Sequence, residues 1–179
     1  YASTMYVYSP FGSFYRASKQ SVETIIEAYQ EHYNFHYTLL RYGSLYGPRA
    51  QEWNGLRKYV RQIVKTGKLE YYGTGKERRE YIHVEDAARA SVDVLNDEFC
   101  NESVVLTGQE PMRVIDMLKM LAEILNLPTG QVEFVDSDHV GHYVRTPYAY
   151  QPKLGKKYIP PMHVDLGQGL LQLINELSE

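Results

Sequence analysis

The stretch STMYVYSPFGSFYRASK, Ser3 to Lys19, decides how the rest of the chain is read. Residues 1–8 alternate and are rich in β-forming side chains, which predicts the end of a strand. Residues 14–33 then carry Val22, Ile25, Ile26, Tyr29 and Tyr33 at spacings of three and four, which predicts a helix with one apolar stripe. Tyr15 and Lys19 are four apart near the start of that helix, so they share a face one turn apart. An ammonium beside a phenol favours the phenolate. It thereby makes tyrosine usable as a general acid/base near neutral pH. The same face continues as Val22 and Ile26, so the pair is expected where the helix begins to bury. Thr4 lies on the preceding strand, and a strand–helix–strand unit can place a strand-end hydroxyl beside the first turn of the next helix.

Working outward, FHYTLLRYG (Phe35 to Gly43) is a continuous β-rich run, as expected for a strand covered on both faces. Strand, helix and strand of these lengths predict a parallel βαβ unit. Gly47-Pro48 breaks the pattern. A helix is predicted over 55–66, ended by Gly67, then a strand at LEYY (69–72), a Gly-rich loop at GTGKERR (73–79) and a strand at EYIHV (80–84). Glu85 to Leu95 reads as a helix with an acidic first turn. ESVVLTG (102–108) reads as a strand, Arg113 to Asn126 as an amphipathic helix, QVEFV (131–135) as a strand and Leu166 to Leu177 as a closing helix. Residues 136–163, with four prolines, read as one long irregular segment.

The totals narrow the function. The chain has 179 residues and a formal net charge of -3, which allows a full core but gives no broad basic field for nucleic acid. No apolar run reaches the length of a membrane span. Cys100 is the only cysteine, so no disulfide can form within the chain, which fits a reducing compartment and a cytoplasmic setting. Seventeen tyrosines stand against five phenylalanines, a choice that suits half-wet clefts. Asp136, Asp138, His139 and His142 crowd together, but two histidines three apart in a loop make a poor metal signal, and no metal is expected.

Alone, a Tyr-x-x-x-Lys pair carries little. Its context carries more. STMYVYS followed by YRASK resembles the extended short-chain dehydrogenase/reductase family, in which a strand ending Ser-[Ser/Thr]-x-x-Val-Tyr-Gly precedes Tyr-x-x-[Ser/Ala]-Lys. LRYGSLYGPR (Leu40 to Arg49) resembles that family's Arg-Tyr-x-Asn-x-Tyr-Gly-Pro stretch. GTGKERREYIHVEDAARA (Gly73 to Ala90) resembles its Gly-x-Gly-x-x-x-Arg-Asp-[Phe/Tyr]-Ile-[His/Tyr]-Val-x-Asp stretch. The three motifs stand in the family's order, and within it the likeness is to NAD-dependent nucleotide-sugar epimerases.

The resemblance implies an α/β fold: the C-terminal part of a Rossmann-type parallel sheet (1–43) and a small α/β substrate domain (44–179) with some elements returning to the sheet. It implies that the family's Gly-rich dinucleotide fingerprint is not among these residues, that the chain alone binds NAD poorly, and that the first strand stands at a sheet edge. By resemblance, Tyr15 is the catalytic tyrosine that exchanges a proton with the sugar hydroxyl. Lys19 meets the nicotinamide ribose, and Thr4 bridges tyrosine and substrate. Tyr42 and Gly43 border the nicotinamide of NAD, with NADP left open. Ser44 falls where the family often has a substrate-contacting Asn. Asn54 and Arg79 fall at positions near the nucleotide diphosphate, with Arg145 as a second phosphate arginine. The partner implied is a nucleotide sugar, and a homodimer is allowed for. Ser9 and Glu80 depart from the family's Gly and Asp. The family's sugar 4,6-dehydratases use an acidic pair directly after the catalytic Thr, where this chain has Met5 and Tyr6, so dehydration is disfavoured. Two alternatives remain: a nucleotide-sugar reductase or dehydrogenase on the same triad, and a non-catalytic module that binds the sugar nucleotide.

Overall fold

The computed structural model describes residues 1–9, 11–128, 130–135 and 155–178. In chain order the strands and helices are β1 (Ala2–Thr4), α1 (Ser13–Tyr33), β2 (Thr38–Tyr42), β3 (Ser44–Tyr46), α2 (Gly55–Thr66), β4 (Leu69–Tyr72), β5 (Arg78–Arg79), β6 (Tyr81–His83), α3 (Val84–Asp93), β7 (Glu102–Leu106), β8 (Met112–Arg113), α4 (Val114–Ile124), β9 (Val132–Val135), β10 (Lys156–Lys157) and α5 (Leu166–Ser178).

The predicted strand over 1–8 stops at Thr4 and gives way to a 3-10 turn at Met5–Tyr8. The cause is local: Thr4 is extended, and its Oγ1 accepts the Tyr6 amide at 3.3 Å, which caps the turn. Asn54 caps α2 in the same way by accepting the Arg57 amide at 3.1 Å, and Gly67 closes that helix. The predicted helix over 113–126 begins one residue later because Arg113 stays in β8. Its Val114, Met117, Leu118 and Leu121 form the buried face, as their spacing predicts.

The central sheet has the order β1-β2-β7-β10, all parallel, so β1 is an edge among the described residues. Along β2, side chains alternate between faces. Arg41 points toward α1, where it meets Glu23, while Tyr42 points toward α3, where its hydroxyl meets Ser91 at 2.5 Å. Helices thus cover both faces, as expected from the continuous β-rich run at 35–43. One core (Ile82, Ala87, Ala90, Val94, Phe99, Val104 and Leu106) lies between α3 and this sheet. A second core joins α2, α4 and α5 to β4 through Leu56, Val60, Leu69, Met117, Leu118 and Leu170 among others.

The stripe predicted on α1 is a correction. Ile25, Tyr29 and Tyr33 are 52%, 54% and 65% exposed, and the residue buried against the sheet is Glu23, at 2%. Periodicity located an apolar face, but the inner face is set by a charged residue that finds Arg41.

The two cores meet at a tight joint. The chain runs on past β2 to Gly43 and past β7 to Gly108, and both glycines lie against the backbone of Glu80 and Tyr81 at the start of β6. A Cβ on Gly43 would stand 2.7 Å from the Glu80 carbonyl oxygen, and one on Gly108 would stand 2.0 Å from that of Tyr81. Backbone cannot yield as a side-chain tip can. Gly108→Ala is therefore expected to destabilise by about 1–3 kcal/mol, the usual cost of overpacking. This would appear as a lower denaturant midpoint at unchanged slope, and an unaltered midpoint would contradict the joint.

His83, 1% exposed, starts α3, with Nδ1 accepting the Glu85 amide at 3.4 Å. Burial holds its imidazole below the ordinary 6.5, against the raising effect of Glu85 and Asp86. Protonation would also remove the acceptor from a helix N-terminus. Because the folded value is depressed, this contribution is complete above about pH 6.5 and is lost as pH falls through the folded value. Denaturant midpoints measured from pH 7.5 downward should fall less steeply for His83→Asn, which can cap without ionising, than for the natural protein. Equal slopes would contradict the assignment.

Candidate functional site

The site residues gather where parallel strands end. Thr4, the last residue of β1, pairs in register with Tyr42, the last of β2. Gly43 follows, its amide donating to the Leu106 carbonyl at 2.9 Å, and then Ser44, whose amide donates to the Glu80 carbonyl at 2.9 Å. Open parallel sheets bind ligands at this carboxyl edge.

α1 brings Tyr15 and Lys19 to the same edge. The Lys19 ammonium donates to the Ala2 carbonyl at 2.8 Å, so it is tied to the short strand that ends in Thr4. It also stands 5.8 Å from the centre of the Tyr15 ring and 5.0 Å from that of Tyr1. The Tyr15 ring meets Tyr6 edge-on, with centroids 6.1 Å apart, and is 52% exposed. The pair therefore lies at the surface rather than at the start of a buried face, with the phenol open to a ligand. Ser9, one of the departures from the family pattern, is buried and accepts the Phe11 amide at 3.0 Å, which shapes the loop before α1.

These groups fit the ribose and nicotinamide end of a dinucleotide: an accessible phenol, an ammonium with one of its three donors on Ala2, and strand ends alongside. The Gly-rich loop after β4 does not fit a pyrophosphate. Its Thr74 amide and hydroxyl both donate to Glu77 Oε1, at 3.1 and 3.2 Å, so a carboxylate of the chain itself occupies the loop, which leads into β5 rather than a helix.

Arg79 is 9% exposed and pairs with Met112 across β5 and β8, and its Nη1 donates to the Arg78 carbonyl at 3.0 Å. It shares its surroundings with Tyr59, Tyr71 and Glu77. Burial pushes both phenols up; Glu77 adds to the rise, and the Arg79 charge opposes it. Burial would raise the Glu77 carboxyl too, but hydrogen bonds from Thr74 and Tyr71 hold it below its ordinary value. Asn54 is committed within the chain: besides capping α2, its Nδ2 donates to the Leu45 carbonyl at 2.8 Å, next to Ser44. Glu80, the other departure, meets the Lys157 ammonium at 3.2 Å. Arg145 and residues 136–142 lie outside the described residues.

A cavity of about 230 Å³ lies between β6, the start of α3, the residues that follow β7 (Thr107, Gly108 and Gln109) and the segment before α5. Two of its carboxylates are engaged structurally: Asp86 meets Arg89 and the Val164 amide, and Asp165 accepts the Gly167 amide. Sequence reasoning missed Glu23, Arg41 and Tyr8, which join in one buried network behind the site. The available signals were an arginine inside the apolar run FHYTLLRYG and a glutamate one turn after Lys19.

Known proteins resemble this arrangement. The chain is 28% identical over 148 residues to dTDP-glucose 4,6-dehydratase of Escherichia coli, covering 77% of this chain and 41% of that protein. It is 24% identical over 119 residues to the mouse dTDP-D-glucose 4,6-dehydratase, covering 66% and 34%. The chain thus spans about half the length, or less, of the curated relatives it matches. Among solved structures, UDP-glucuronic acid 4-epimerase from Bacillus cereus, in complex with UDP-glucuronic acid and NAD, superposes with a TM-score of 0.75 at 23% identity, covering 98% of this chain and 60% of that one. UDP-glucose 4-epimerase from Thermotoga maritima, with UDP-glucose, gives 0.76 at 21%, covering 98% and 61%. These two likenesses establish the shared α/β fold. The model of the NAD dependent epimerase/dehydratase family matches residues 4–106, from the capping Thr4 to the end of β7, and the chain belongs to that family.

Proposed function

We propose that this chain supplies the proton-transfer residues and part of the substrate site of an enzyme that epimerises a nucleotide sugar. The observation that carries the reading is the anchoring of Lys19 to Ala2, which sets the Tyr15 face of α1 against the strand ending in Thr4. NAD, when bound, would supply the hydride acceptor and donor. The chain's own residues do the rest. Tyr15 exchanges a proton with the reacting sugar hydroxyl, taking it up and later returning it. Lys19 holds α1 on β1 through the Ala2 carbonyl and offers its other donors to ribose hydroxyls. Thr4 presents a hydroxyl that can relay between phenol and sugar. Tyr42 and Gly43 form the wall beside the nicotinamide. Arg79 suits a diphosphate because its planar guanidinium offers paired donors, with Arg145 as the second arginine. Asn54 acts through position, by holding the segment that carries Ser44.

Relatives of both kinds exist in the family, so the choice of epimerisation rests on Met5 and Tyr6. They follow Thr4 directly in the 3-10 turn, and neither is a carboxyl group able to drive loss of water as the dehydratases' acidic pair does. The division of labour proposed is 1–43 for the cofactor side and 44–179 mainly for the sugar nucleotide. β7 and β10, which rejoin the central sheet, support the idea of returning elements. A cytoplasmic setting is proposed with it; no helix among the described residues is long and apolar enough to cross a membrane.

In the full-length gene product, Tyr15→Phe should lower kcat by about a hundred- to ten-thousand-fold, the range for loss of a general acid/base. KM for the sugar nucleotide should stay close to the natural value. Turnover should proceed without accumulation of reduced nicotinamide. Stoichiometric accumulation would indicate a dehydrogenase, and unimpaired Tyr15→Phe would remove Tyr15 from the mechanism.

A further inference from the structure

Glu23 lies four residues after Lys19 and eight after Tyr15, so phenol, ammonium and carboxylate follow one another along one face of α1. The strand β1 is held by the last two of them. Lys19 takes the carbonyl of Ala2, and Glu23 Oε1 accepts the Ser3 hydroxyl at 2.5 Å. Thr4 is the next residue. From the neighbouring strand, Arg41 grips the same carboxylate with both arms of its guanidinium, Nε to Oε1 at 3.1 Å and Nη2 to Oε2 at 2.7 Å. Ser3 and Arg41 are themselves cross-strand partners in register. The remaining arm of Arg41 donates to the Tyr8 hydroxyl at 2.6 Å, and that hydroxyl also accepts the Gly155 amide at 3.2 Å. Ser3, Glu23 and Arg41 are 4%, 2% and 0% exposed, so the bonds among these three are shielded from solvent.

A buried ion pair of this kind is a poor source of stability. Desolvating both charges costs about as much as their attraction returns, and apolar side chains of similar volume often do as well or better. What apolar packing lacks is direction. Two arms of a planar guanidinium and a serine hydroxyl, all fixed on one carboxylate, define both the rotation and the axial position of α1 against β1 and β2. We propose that Glu23 is a positioning residue for proton transfer: with Ser3 and Arg41 it sets the register of α1 on β1, and so the placement of the Tyr15 phenol and the Lys19 ammonium relative to Thr4. The inference rests on the roles given to Tyr15 and Thr4 above.

The test is made in the full-length gene product with Glu23→Met/Arg41→Met, which replaces the pair by apolar side chains, and with Ser3→Ala, which leaves the ion pair intact. The double variant should keep a cooperative thermal transition close to the natural one and an unchanged KM for the sugar nucleotide. Its kcat should fall roughly tenfold to a hundredfold, the scale of a misplacement of about 1 Å. Ser3→Ala should show a smaller fall in kcat with no thermal change, and it decides the matter if the double variant does not fold. Natural kcat in the folded variants, with Tyr15→Phe inactive, would overturn the positioning role alone. An active Tyr15→Phe would overturn the reading of Tyr15 and this inference with it.

Discussion

The arrangement depends on the close crossing of three pieces of backbone. β2 and β7, side by side in the central sheet, run past their ends at Gly43 and Gly108 against the peptides of Glu80 and Tyr81. No side chain fits between them. The crossing brings the end of the parallel sheet, with Thr4 and Tyr42, to the start of β6, and with it Arg79, one residue before Glu80. Ser44 is fixed at the same place, since its amide donates to the Glu80 carbonyl. The separation between the sheet edge that carries Thr4 and Tyr42 and the Arg79 guanidinium is therefore set by main chain, the stiffest part of the molecule. The two hydrophobic cores on either side of the joint then stabilise a geometry they do not define.

Much of this was legible in the sequence because the signals were local. Asn54 and Gly67 bracket α2, and the spacing of Val114, Met117, Leu118 and Leu121 marks the inner face of α4. Tyr15 and Lys19 were legible for the same reason, since a helix turn alone brings them onto one face. What could not be read was set by contacts between distant segments. The strand at 1–8 ends early because Thr4 spends its hydroxyl on a cap. The inner face of α1 holds Glu23 rather than Ile25 or Tyr29 because Arg41, eighteen residues on, reaches it from β2. The burial of Arg79 follows from its pairing with Met112 across β5 and β8, which no spacing rule anticipates. The short β10 at 156–157 lies within a stretch whose prolines mask any pattern, and its place is given only by pairing with β7.

The chemistry assigned to the edge follows from what the fold leaves there. Along it the Tyr15 phenol is exposed and stands beside the Lys19 ammonium, which is fixed on the Ala2 carbonyl. Thr4 is buried and already engaged through its oxygen, so it suits a relay better than a primary acid or base. The turn that follows, Met5–Tyr8, offers a thioether and the phenols of Tyr6 and Tyr8, and no carboxyl group. A proton exchanged at oxygen while hydride leaves and returns at carbon inverts a centre and consumes nothing.

That account predicts the fate of a single atom. The full-length gene product would be given NAD and a nucleotide sugar carrying deuterium at the carbon whose configuration changes, and the epimeric product examined by mass and NMR. Deuterium retained at that same carbon, without reduced cofactor left over, is the predicted result. Deuterium lost to water, transferred to another carbon of the sugar, or recovered in free reduced nicotinamide would contradict it.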